Sequence, residues 1–466
     1  MRVQRSVKYA SAAAVALAAV LWWSLWHVSV GAAQRTAFFT SDSRDVTNRL
    51  YVLLHTRVAP DGQEYGFDSL DPLLWSETNY LLEGKSHREA LALADEFLRT
   101  HAERQMTDPL RRAILQRDIW AVYDWADQSS GQPADQPTDQ GLPHQAERRE
   151  LMATLGPIVR RLALSPEQLA ALPNTYADAL QRHEFPAAYD PAFPNRAFLP
   201  PDLFDPAGPW VCLGAPEQEL AAPTHDTSFV ARSDFFVFAR LPAGREATLA
   251  YYRQLGEMKT PLFARMQIPG MKDPADVWNP EVPQFPAGTE FALVRQMVLP
   301  DRDGILRPTK VTESVQIRHY TRIPIVAPGM TRDVDLAAHF QDPSEIELSR
   351  VLLFSGRHSG LRGVTAADEP FLIFPAMTQG FDQFQEQRMR TSKVSPFVMC
   401  TGCHLGPGIE SMMSFSTRGI PGEGPVLSPR LAPTTPELET RKVLDWAGKQ
   451  EQWKALHGMW ARQDSD

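Results

Sequence analysis

Apolar positions fall at helical spacing through the early part of the chain and at alternate positions through the middle, so helices and then strands are expected in succession. Ser86 followed by Glu89 reads as a capping box ahead of Ala90, Leu91, Ala94, Phe97 and Leu98. Thr107-Asp108-Pro109 reads as a second helix start, with Leu110, Ile114, Tyr123 and Trp125 following. Ser165-Pro166-Glu167-Gln168 repeats the cap logic before Leu169 and Leu172, and Pro173 ends that run. Residues 128–145 repeat Gln-Pro and Asp-Gln units without hydrophobic period and read as a linker.

Residues 190–226 are rich in proline and aromatic side chains and read as a long connection, after which the period becomes two. Phe235 and Val237 are expected to face opposite to Phe236 and Phe238. Residues 291–299 and 311–320, joined through Asp301-Arg302-Asp303-Gly304, read as a hairpin with Val311, Val315, Ile317 and His319 on one face. Residues 346–354 read as a further strand. A single late helix opens at Thr435-Pro436 and carries Leu438, Val443, Trp446, Trp453, Leu456 and Trp460. The expected class is α+β: an N-terminal helical lobe (34–190), a central β-rich lobe (191–390) and a C-terminal segment, mainly helix and loop (391–466).

The N-terminus changes the picture. Arg2, Arg5 and Lys8 precede a run from 9 to 30 that is broken only by Ser11, Ser24, His27 and Ser29. This is an export signal, and small residues at Gly31, Ala32 and Ala33 allow cleavage. The run is also long enough to span a bilayer, so residues 1–33 read equally as a signal peptide or as a membrane anchor with Trp22, Trp23 and Trp26 at the interface. In both cases the remainder lies in the periplasm or another extracytoplasmic space.

Composition narrows the partners. The net charge of −9, from 47 basic and 56 acidic residues, gives no footprint for a phosphate backbone, so nucleic acid is not an expected partner. Proline is abundant, 39 of 466 residues, which implies many rigid connections.

The chemistry concentrates at Cys400-Thr401-Gly402-Cys403-His404. Two thiols at this separation can meet the two vinyl groups of a haem, and an imidazole directly after the second thiol can reach the iron from the same side. Two of the three cysteines in the chain are used here, and the third, Cys212 in Trp210-Val211-Cys212-Leu213, reads as a buried apolar thiol. Zinc held by the same three residues with Cys212, or a redox or structural disulfide between Cys400 and Cys403, are the competing chemistries.

In this motif the sequence resembles the c-type cytochromes. The resemblance implies one covalent haem c, with Cys400 and Cys403 as thioether tethers and His404 as the proximal iron ligand. It covers little of the chain beyond the motif, and no second such motif is present.

The sixth iron position decides between electron transfer and ligand chemistry. Met412 or Met413, eight and nine residues after His404, is the expected distal ligand, with His319, His358 and His457 as alternatives, whereas Met459 stands too late for the helix that follows a distal methionine in small cytochromes c. The function expected is one-electron transfer to a redox partner protein rather than catalysis. The alternatives are a haem enzyme or small-ligand sensor with an open distal site, and a haem-free exported binding protein with a structural cysteine pair.

Overall fold

The structure, a computed structural model, describes residues 37–58, 64–65, 67–68, 80–127, 144–215, 219–229, 231–258, 263–267, 272, 275–279, 281–323, 340–365, 371–372, 393–394, 404, 408–413 and 431–462. The expected export signal, the 128–143 portion of the expected linker, Cys400 and Cys403 lie outside them. Among the described residues no helix is long and apolar enough to cross a membrane.

Among the described residues six α-helices come first: α1 (Val46–His55), α2 (Gly84–Thr100), α3 (Pro109–Asp127), α4 (Gln145–Leu162), α5 (Pro166–Ala170) and α6 (Thr175–Gln181). The α3 start is as expected, with the Asp108 carboxylate accepting from the Leu110 amide at 2.9 Å. Ser165 and Gln168 form a complete capping box on α5. The expected box at Ser86 does not form. Gly84, at φ +60, turns the chain into α2 two residues earlier, and the Ser86 hydroxyl inside the helix donates back to the Tyr80 carbonyl at 2.6 Å.

A seven-stranded sheet follows, with β1 (Val211–Gly214), β2 (Ser233–Arg240), β3 (Glu290–Pro300), β4 (Leu306–Tyr320), β5 (Gln341–Leu348), β6 (Leu361–Gly363) and β7 (Ala432–Pro433). Its order is β6-β5-β4-β3-β2-β1-β7, and every neighbouring pair is antiparallel. The later helices are α7 (Pro223–Ser228), α8 (Arg245–Glu257), α9 (Arg350–Ser355), α10 (Ile409–Met413), α11 (Pro436–Ala447) and α12 (Glu451–Arg462).

The fold is therefore α+β, and the β3–β4 hairpin stands where the alternation placed it. Two expectations are corrected. The strand expected over 346–354 ends at Leu348, because the Ser349 hydroxyl accepts from the Leu352 amide and caps α9. The single late helix is two, α11 and α12, divided at Gly448.

The sheet has two buried faces. Cys212, Phe236, Phe238, Ala292, Val294, Val315, Ile317 and Ile346 pack against the early helices and against Trp453 and Leu456 of α12. Val211, Leu213, Phe235, Val237, Ala239 and Phe291 pack on the other side with Tyr251, Tyr252 and Leu255 of α8. The helical region and the sheet, expected as separate lobes, thus share one core, to which the C-terminal helix also contributes.

Charge is buried in this shared core. Arg117 of α3 meets Glu313 of β4 at 2.6 Å, and Arg295 of β3 meets the second oxygen of the same carboxylate at 2.8 Å. Glu313 is the extra residue of a β-bulge: its neighbours Ser314 and Thr312 pair with the consecutive residues Arg295 and Gln296. A second buried acid, Asp234 of β2, accepts from the Thr440 hydroxyl of α11 at 2.5 Å. Burial pushes its carboxyl up to about 7, and the Asp226 carboxyl is raised for the same reason.

Replacing Glu313 with Ala leaves two buried guanidinium groups facing each other, so a loss of about 3–5 kcal/mol is expected in denaturant unfolding. Lys454→Ala, which removes an exposed ion pair with Glu451, should leave the midpoint unchanged.

Asp234 gives a pH dependence. The folded chain keeps the proton up to about pH 7, whereas the unfolded carboxyl releases it near 4, so the folded state binds the extra proton in between and this group lowers stability as pH rises across that window. Asp234→Asn should match the parent protein near pH 4 and exceed it at pH 8 in urea midpoint. Equal destabilisation at both pH values would contradict this account.

Candidate functional site

His404 sits on the α8 side of the sheet, next to α10. Gly408, at φ +54, turns the chain into α10, where the Gln284 side chain receives the Ile409 amide at 3.0 Å. Ile409 and Met412 pack into the core beside Tyr320 and Phe285. The Ser411 hydroxyl donates to the Gly408 carbonyl at 2.8 Å, so its single proton is committed and it accepts from the Tyr320 hydroxyl at 2.5 Å.

This short helix fixes the imidazole. Nδ1 of His404 lies 2.7 Å from the Ser411 carbonyl oxygen, which can only accept, so Nδ1 carries the proton and Nε2 presents a lone pair. The His404 carbonyl in turn receives a hydrogen bond from Gln341 of β5 at 2.9 Å. The other end of the Gln341 amide accepts from Arg318 of β4 at 2.8 Å. Burial, reinforced by the Arg318 charge, pushes the His404 pKa down to about 3, so the ring is neutral throughout the physiological range.

A second imidazole lies alongside. His225 of α7 has its ring centre 6.4 Å from that of His404, with the two planes inclined by 19°. Phe235 of β2 lies 5.6 Å from the same ring. Burial, then the charges of Arg318 and Arg295, lower the His225 pKa to about 4. Nothing in the spacing of the sequence marks His225, since it stands about 180 residues before the motif in an unremarkable Pro-Thr-His-Asp run.

Arg318 is 7% exposed, and among the described residues no carboxylate lies within ion-pair distance of it. A buried guanidinium in that state suits an anionic group of a ligand.

The other expected ligands are placed as follows. Met412 stands on α10, the element that holds Nδ1, and packs against the core. Met413 ends the same helix, and its side chain lies outside the described residues, as does that of Met459. His319 is stacked on Tyr189 at 3.8 Å and bonded to Glu290 at 3.0 Å. His358 is half exposed beside Glu184, and His457 is exposed on α12 beside Trp453. Cys212 is buried, with its thiol pKa raised, and it faces the early helices, whereas α10 packs on the other face. Zinc shared between Cys212 and His404 is thereby disfavoured. Among the described residues no group of three or more His, Cys, Asp or Glu side chains is arranged to hold a metal ion.

A basic cleft of about 620 Å³ is lined by Arg112, Arg160, Arg161 and Arg302. Arg112 and Arg161 are committed to backbone carbonyls, and Arg302 faces Glu167. The chemistry therefore centres on His404. No family model, curated protein or solved structure matches the chain.

Proposed function

We propose that the protein is an exported monohaem c-type electron carrier, held outside the cytoplasm in soluble form or tethered through residues 9–30, that exchanges electrons with a partner protein. The carrying observation is the state of His404. The residue that directly follows Cys403 is neutral, with its Nδ1 proton given to a backbone carbonyl and its Nε2 lone pair available. Metal-bound histidines are held in this way: a hydrogen bond at one ring nitrogen selects the tautomer and aims the other.

When bound, haem c supplies a one-electron iron couple. The remaining work belongs to the chain. Cys400 and Cys403 tether the group through thioethers and so keep it in place in either charge state. His404 supplies the proximal nitrogen. Arg318 offers a buried positive charge for a haem carboxylate. The apolar packing of Ile409 and Met412 beside Tyr320 and Phe285 would limit water on the Nδ1 side of His404 and so solvent reorganisation when the charge changes.

The test is attachment. Protein expressed with the haem-attachment machinery should be coloured and should keep its pigment through acid-acetone extraction, because thioether bonds survive unfolding. Cys400→Ser or Cys403→Ser should reduce attachment severely, and Cys212→Ser should leave it intact. Colourless protein from a competent host, or pigment lost on extraction, would overturn the proposal in favour of a structural cysteine pair.

A further inference from the structure

Resting on the haem c reading, we infer that His225 is the sixth iron ligand, so that the site is a bis-histidine haem in place of the histidine–methionine pair expected from Met412 and Met413.

The geometry carries this. Two imidazoles that share one metal are separated by two metal–nitrogen bonds of about 2 Å and by two ring radii of about 1 Å, which together put their centres roughly 6 Å apart. His225 and His404 are 6.4 Å apart, with planes near parallel at 19°. Direct stacking is shorter, as the 3.8 Å between Tyr189 and His319 illustrates in this same chain. Among the described residues, neither ring nitrogen of His225 has a hydrogen-bond partner, and its ring contacts are with Phe235 and His404.

Met412 fails on position. The Ser411 carbonyl binds Nδ1, the ring nitrogen turned away from the metal, so α10 lies on the proximal side. A sulfur from the next residue would have to pass round the porphyrin edge to reach the opposite face. His225 comes from a different element, α7, which is joined to β2 through the turn at Phe229, where the Arg232 amide donates to the Phe229 carbonyl at 3.0 Å.

The spectrum of the haem-loaded full-length protein tests the assignment. The oxidised form should be low-spin and lack the weak red sulfur-to-iron band. Its near-infrared magnetic circular dichroism should be that of two nitrogen ligands. Its low-spin resonance should be rhombic, as near-parallel imidazole planes require. His225→Ala should become high-spin, bind carbon monoxide rapidly when reduced, and recover the low-spin spectrum with added imidazole. Met412→Ala and Met413→Ala should keep the parent spectrum.

A sulfur band that disappears in either methionine variant would overturn the assignment of His225 and leave haem attachment standing. Rapid carbon monoxide binding by the unaltered protein, or a low-spin His225→Ala without added imidazole, would do the same. Failure of attachment itself would show in the extraction assay and would remove the parent reading. Should His225→Ala not fold, the magnetic circular dichroism of the unaltered protein still decides the ligand pair.

Discussion

A run of buried charge on one helix is the constraint on which the arrangement rests. Between Arg117 and Asp124, α3 places three ionisable side chains inside the core, and each, when charged, must meet an opposite charge or carry a large desolvation cost. Arg117 meets Glu313 of β4, Asp118 meets Arg350 at the start of α9, and Asp124 meets Arg232 immediately before β2. Apolar packing alone tolerates sliding of a helix across a sheet, whereas these pairs admit few registers. The helix is thereby tied to β4, to the residue that leads into β2 and to the connection that follows β5.

That tie extends to the other face. Glu313 sits in a bulge, so its carboxylate can take Arg117 on one oxygen and Arg295 on the other. The Arg295 guanidinium then lies 3.7 Å above the Phe229 ring, one residue beyond the end of α7. A chain of contacts thus runs from α3 through the bulge to the helix that carries His225. On the far side of the site, β4 holds α10 through Tyr320, and β5 holds His404 through Gln341. The positions of both imidazoles are inherited from the sheet, although neither histidine belongs to a strand.

How much of this was legible follows from the range of each signal. The alternation Phe235, Phe236, Val237, Phe238 marks a strand buried on both faces, because side-chain period is local. The caps at Asp108, Ser165 and Thr435 are readable because they involve residues at most three apart. Ser86 misled because a glycine in the left-handed region had already turned the chain. The run over 346–354 misled because its apolar residues suit a strand and a short helix equally, and the Ser349 cap decides between them. Glu313 occupies a position that strict alternation assigns to an apolar face, and only the bulge and its two arginines, 196 and 18 residues distant in sequence, account for it. His404 was legible as chemistry through the two thiols before it. His225 was not, since the pairing of two histidines about 180 residues apart is a product of tertiary structure alone.

Suspension from one sheet has a consequence for the proposed electron transfer. The element bearing His225 leans on β2, and those bearing His404 lean on β4 and β5, so the two rings span strands whose neighbours are spaced by about 4.8 Å and cross-linked by an unbroken antiparallel ladder from Arg240 to Phe235 on one side of β3. The ring separation is then set by elements that lean on strands of one sheet. Low-spin iron with two nitrogen ligands needs little change in bond length between its two charge states, and a scaffold that holds the ligands at nearly the right separation in advance adds little of its own. Both imidazoles are also neutral well below physiological pH, so protons would not compete with the proposed iron for their lone pairs. The same burial that would make a charged histidine costly thus keeps both nitrogens available, and it ties the proposed redox role to the packing of the sheet.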